Sequence, residues 1–154
     1  LVAGPEDSLN NLTSLSLEPI DFSGVNLNTT TFTRTVSLPT GFLNIRNIWD
    51  VEVSLNLSGY TQKNITLNGS NVVVKNNRSG QKVEVLTDNL SVQVVGPENQ
   101  VSDMTSADLY GTLDMSTQTE GSGTVNMPVT IGFTNASGCW AYGKYTVSVQ
   151  VDQQ

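Results

Sequence analysis

The chain contains no histidine and a single cysteine, Cys139. Those two facts limit its chemistry first. A hydrolytic nucleophile needs a base beside it, most often an imidazole. No serine here can have that partner, and Cys139 has none to take its proton. Cys139 therefore reads as a small packed apolar residue rather than a reactive thiol. One cysteine cannot form an internal disulfide either. That does not exclude an oxidising compartment, because many bacterial surface proteins avoid cysteine.

Carboxylates are the next candidates. Paired carboxylates can run acid–base chemistry. Asp21 and Asp114 recur 93 residues apart in matching contexts, and such repetition favours a turn role over catalysis. Asp103, Asp108, Asp114 and Glu120 would suit Ca²⁺ if they converged, but they lack the dense Asp-x-Asp-x-Asp loop. A solvated surface is the better reading of them. Gly121-Ser122-Gly123 reads as a turn, since no lysine or helix follows to bind phosphate. There is no phosphate loop, Rossmann fingerprint or zinc spacing. No catalytic, metal or cofactor residue is expected.

Trp49 and Trp140 are the only tryptophans and stand 91 residues apart, each before a closing strand. Each could plug a small core. Tryptophan is also enriched at interaction hot spots, so both are candidates for a partner or inter-domain contact. Eight Asn-x-Ser/Thr sequons run from Asn11 to Asn135, where random pairing of these abundant residues would yield on the order of half that many. They would be glycosylated in a eukaryotic ectodomain.

These residues need a frame, and the stretch from Val94 to Ser116 supplies it. Val94-Val95 reads as a strand ended by Gly96-Pro97, because proline has no N–H for the ladder. Pro97 suits the first helical position, with Glu98 near the positive helix end. Val101 and Met104 share a helix face. Thr105 to Asp108 supplies turn chemistry, and Leu109, Leu113 and Met115 return to a sheet. The chain opens on the same pattern, with Gly4 and Pro5 standing 92 residues before Gly96 and Pro97. This long period marks a tandem domain array rather than a short-repeat solenoid. The first copy is expected to lack its beginning, as an excerpt of a longer protein would.

In order, 1–57 is read as a partial domain, 58–61 as a junction and 62–154 as a complete domain. Val51, Val53, Leu55 and Leu57 alternate strictly, as Val147, Val149 and Val151 do in the second copy. Asn68-Gly69 is a strong hairpin signal. Asn135 to Tyr142 reads as a loop. The fold class is mainly β, with one short helix per copy after a Gly-Pro turn. The net charge is −7 and the pI about 4.2, which argues against a phosphate-binding surface and nucleic acid. The sequence shows no signal peptide or membrane span.

Gly-Pro-Glu, a short apolar-spaced segment, then Ile20-Asp21-Phe22-Ser23-Gly24 resembles the repeat of YbbR-like proteins. Leu113-Asp114-Met115-Ser116 follows the same pattern, with Thr117 in place of the glycine. Leu38-Pro39 and Met127-Pro128, each followed by an alternating strand, also match. On this resemblance the repeat-defining positions are Gly4, Pro5, Asp21, Gly96, Pro97 and Asp114.

The resemblance implies tandem YbbR-like β-rich domains outside the cytoplasm, anchored to the cell membrane by a helix that this sequence lacks. In Gram-positive bacteria such proteins regulate the membrane diadenylate cyclase that makes cyclic di-AMP. The implied partners are that cyclase, through the parent protein, and neighbouring repeat domains. The membrane would be met only through the anchor. Homo-oligomerisation through the incomplete first copy is a further expectation, because strand edges invite pairing. The competing reading is a structural or adhesive surface module that binds wall polymer or another surface protein. Glycan binding predicts exposed aromatics in a groove; regulation predicts a contiguous apolar patch.

Overall fold

The computed structural model describes residues 1–78, 81–117 and 122–153. The expected turns at Ser79-Gly80 and Glu120-Gly121 lie outside the described residues. The chain is mainly β, as its alternating Val, Thr and Ser runs require. It divides into two units. The first comprises Leu1–Asp21 and Thr29–Leu57, and the second Phe22–Asn28 and Ser58–Gln154. The first unit thus ends at Leu57, and strand structure resumes at Tyr60, inside the stretch read as a junction. Phe22–Asn28 differs from the sequence reading, which placed it in the first copy. It goes with the second unit because Val25 is fully buried there.

The second unit contains β6 (Tyr60–Asn68), β7 (Val72–Lys75), β8 (Gln81–Val85), β9 (Asn89–Pro97), helix α2 (Glu98–Val101), β10 (Leu109–Asp114), β11 (Gly123–Phe133), β12 (Trp140–Tyr142) and β13 (Tyr145–Gln153). One sheet has the order β7-β10-β11-β13-β8 and the other β12-β9-β6. Strand β9 is central in its sheet, and Val92, Val94 and Val95 are all fully buried. Its Val94-Val95-Gly96 run is apolar on both faces, as a strand covered on both sides must be. One core cluster joins Ile65, Leu67, Val92 and Val94 to Val101, Met104 and Leu109. A second is built from Leu113, Met115, Met127, Val129, Val147, Val149 and Val151.

The helix after Gly96-Pro97 is one turn long. Pro97 caps it rather than entering it, with φ −54° and ψ 134°, and Glu98 is the first helical residue. Val101 and Met104 are buried together, as their spacing predicts. Thr105 to Asp108 forms a capped 3-10 turn.

Two local expectations fail. Asn68-Gly69 makes no hairpin: β6 pairs antiparallel with β9, while β7 pairs parallel with β10. Gly69 instead approaches the loop before β9. Its N–H donates to the Asp88 carbonyl at 2.7 Å, and a β-carbon there would lie 2.0 Å from the Thr87 carbonyl oxygen. Glycine is needed for that contact, not for a two-residue turn. The Asn135–Tyr142 segment is not all loop, since Trp140–Tyr142 forms β12 against β9.

The first unit contains β1 (Val2–Ala3), helix α1 (Glu6–Asn11), β2 (Ser16–Leu17), β3 (Thr31–Ser37), β4 (Leu43–Asn44) and β5 (Asp50–Ser54). Its sheets run β2-β3-β5 and β1-β4. The same antiparallel pairings join β10-β11-β13 and β9-β12 in the second unit. The two units therefore share one topology, and the first has no counterparts of β6, β7 and β8. No residue of the first unit, all of which are described, is buried.

Candidate functional site

Trp140 forms the most developed cluster of the two tryptophans. Strand β12 holds it opposite Val95 of β9. Phe22 meets its ring edge-on, with centroids 4.9 Å apart and planes at 79°. Tyr60, the first residue of β6, lies 5.7 Å away at a tilt of 41°. The indole N–H donates to the Val25 carbonyl at 2.8 Å. The Gly143 N–H donates to the Ser23 carbonyl at 2.8 Å. Ring contacts and backbone bonds together seat Phe22–Asn28 as a strap on the second unit. Such aromatic pairs contribute about 0.5–1.5 kcal/mol each.

Beside the strap lies a cleft of about 430 Å³. Trp140, Phe133, Ile131 and Tyr145 line it, with Ser23 at one side and Lys144 as its charged member. Its lining is mostly apolar, so it suits a ring or alkyl group better than a charged substrate. The Tyr145 hydroxyl donates to the Tyr142 carbonyl and accepts from the Gln93 N–H at 2.9 Å. It ties β13 of one sheet to β9 of the other and is not free for chemistry.

Cys139 is half-buried against the first core cluster. Burial pushes its thiol pKa up, so the protonated, weakly nucleophilic form prevails. Its Sγ lies 3.8 Å from the Gln100 side-chain oxygen.

The carboxylates are occupied in turns. Asp114 accepts from the Asn76 side-chain amide at 2.7 Å and from the Ser116 N–H at 2.9 Å. Those bonds, Asn76 first, hold its carboxyl below the usual range. Asp108 accepts from the N–H and hydroxyl of Thr105 at 2.8 and 2.9 Å, which lowers its pKa in the same way. Among the described residues no three His, Cys, Asp or Glu side chains converge as metal ligands would, and no helix is long and apolar enough to cross a membrane.

No protein-family model and no curated protein matches the chain. Two solved structures do. The chain is similar to YbbR-like domains of known structure. One is a YbbR-like protein from Streptococcus pneumoniae TIGR4, at 18% identity and a TM-score of 0.40, over 61% of this chain and 48% of that one. The match thus spans about half of the Streptococcus chain. The other is the YbbR-like domain of the lmo2119 protein from Listeria monocytogenes, at 18% identity and a TM-score of 0.38, over 61% of this chain and 95% of that one.

The repeat-defining positions are of three kinds. Gly96 sits against Cys139, where a β-carbon would lie 2.4 Å from the sulfur, and Gly4 sits against the Phe42 ring, where it would lie 2.8 Å away. Pro5 and Pro97 both cap a short helix. Asp114 anchors a turn, while Asp21 is exposed at the end of a first-unit segment.

Trp49 and Trp140 are not equivalent. Trp140 is on β12, whose counterpart is β4, so Leu43 stands in the place of Trp140. Trp49 lies directly before β5 and is 43% exposed. Its N–H donates to the Asn47 side-chain oxygen at 2.7 Å. It shares its loop with Ile45 and Ile48, which are 53% and 58% exposed. The 91-residue spacing misled because the stretch between β4 and β5 is longer than the one between β12 and β13, so Trp49 lies in a loop beyond β4. Sequence reasoning also missed Phe22, Val25 and Tyr60 as a group. The available signal was Val25 and Leu27, two apolar residues inside a polar run.

Proposed function

We propose that this chain is a protein-contact segment of a membrane-anchored extracytoplasmic protein, acting through that parent on a membrane diadenylate cyclase. The observation that carries the contact reading is the exposed apolar surface of the first unit. Leu43, Ile45, Ile48 and Trp49 are each more than 40% exposed and lie within one short stretch. Exposed apolar side chains close together in the chain suit a protein-binding face. The sequence resemblance to YbbR-like repeats supplies the cyclase and the anchor. The chain itself contributes no catalytic group in this reading; it binds, and the anchor passes the bound state across the membrane.

The test is cyclic di-AMP output from cells that co-express the parent protein and its cyclase, with and without residues 1–154. A changed output at equal expression and membrane content supports regulation. An unchanged output counts against it.

A second reading has its own observation. The cleft beside Trp140 carries Phe133 and Tyr145 as well, and aromatic walls suit stacking on sugar rings. A module that binds wall polymer would use this cleft. Sedimentation with purified wall polymer, comparing the intact chain with Trp140→Ala, separates the two readings.

A further inference from the structure

The cleft beside Trp140 belongs wholly to the second unit. Ser23 comes from the strap, and the rest of the lining comes from β11, β12, β13 and the residues next to them. Its polar side chains can be accounted for one by one. The Trp140 N–H is spent on the Val25 carbonyl. The Tyr145 hydroxyl is spent on Tyr142 and Gln93. The Cys139 sulfur is 3.8 Å from the Gln100 side-chain oxygen. The other polar side chains are Ser23, Thr130 and Lys144. A sugar ring carries hydroxyls all round its edge, and two side-chain hydroxyls cannot satisfy them all inside an apolar cleft.

Lys144 supplies the missing specificity. It sits in the two-residue connection between β12 and β13. Gly143 before it has a φ of 99° and donates its N–H to the Ser23 carbonyl at 2.8 Å. Tyr145 after it is fixed through its hydroxyl. The backbone of Lys144 is therefore held at the cleft, while its side chain is exposed. Among the described residues its ammonium makes no hydrogen bond and no ion pair, although the chain has 14 carboxylate side chains against 7 cationic ones.

We propose that this cleft binds a small amphipathic carboxylate. The apolar body lies along Ile131, Phe133 and Trp140, and the carboxylate pairs with Lys144. The volume of about 430 Å³ falls within the roughly 300–1,000 Å³ of small-molecule sites. The charge fixes the sign of the ligand, since an alkylammonium would meet Lys144 as a like charge. The inference competes with the wall-polymer reading for the same cleft and does not depend on the cyclase reading.

The probe is decanoate, below its micelle concentration, added to the full chain carrying Trp49→Phe. Trp140 emission is titrated, and amide shifts are followed by NMR. Saturable binding is expected, with shifts centred on Ile131–Phe133 and Trp140–Tyr145. Lys144→Ala should weaken it by about fivefold, as for an exposed ion pair, and Lys144→Glu by ~10-fold or more, through like-charge repulsion. Lys144→Arg should retain it. Lys144 is exposed, so equal melting temperatures check that these variants stay folded. Decyltrimethylammonium should not bind the cleft. Neither an emission change nor amide shifts with decanoate overturns the proposal, as does equal binding by Lys144→Glu or by the ammonium. Cleft binding of a soluble chitooligosaccharide without binding of decanoate overturns it in favour of the wall-polymer reading.

Discussion

The α-carbon of Gly96 lies so close to Cys139 that a β-carbon there would sit 2.4 Å from the sulfur. Gly4 stands in the same relation to Phe42, at 2.8 Å. Cys139 directly precedes β12, and Phe42 directly precedes β4. The glycine of each Gly-Pro pair thus marks the same close crossing in both units. It is required by contact rather than by backbone angle.

Gly96→Ala should therefore destabilise the second unit by about 1–3 kcal/mol, the cost of overpacking a filled site. Cys139→Ala makes room, so the double variant should recover part of that loss. Urea denaturation of the four chains forms a mutant cycle with a coupling of about 0.5–3 kcal/mol. Additive losses would contradict the contact.

The strap should report through fluorescence. In a Trp49→Phe background Trp140 is the sole tryptophan. Phe22→Ala removes its edge-on ring, so its emission should shift red and acrylamide quenching should rise. Trp140→Phe keeps a ring but loses the bond to the Val25 carbonyl, at a cost of about 0.5–1.5 kcal/mol. Protease cleavage within Phe22–Asn28 should accelerate in both variants.

Tyr145→Phe tests the tie between the two sheets. The hydroxyl serves Tyr142 and Gln93 at once. Its loss leaves a partly buried N–H without an acceptor, at a cost of about 1–3 kcal/mol. A urea midpoint unchanged from wild type would show that the tie contributes nothing.

Acid should weaken the turns of the second unit. The carboxyls of Asp108 and Asp114 are both held below their ordinary range in the folded chain. A depressed folded pKa adds stability that is complete above the unfolded value, about 4 for aspartate. That stability is lost as the pH falls from there through the folded pKa. The melting temperature should fall below about pH 4. Asp108→Asn and Asp114→Asn should each flatten that fall, because each lowers the melting temperature between pH 6 and 7 and changes it little in acid.

Much of the fold was legible because it is carried by periodicity and repetition. The valines of β5 and β13 alternate strictly, and the spacing of Val101 and Met104 placed both in one core. Local signals failed where distant pairing outweighed them. Asn68-Gly69 has hairpin chemistry, yet the nine-residue pairing of β6 with β9 takes the strand away from β7. The matched tryptophans were a coincidence of loop length, visible only once β4 and β12 are seen pairing with β1 and β9. The strap left almost no local trace, because its partners Trp140 and Tyr60 are far along the chain.

The most direct measurement is amide hydrogen exchange on the intact chain at neutral pH, resolved by unit. Strands β6, β9, β11 and β13 should exchange only on global unfolding, while β1, β2 and β5 should exchange by local opening, at least ~100-fold faster. Equal protection of the two units in a monomer would contradict the reading of one closed and one open copy of the same fold.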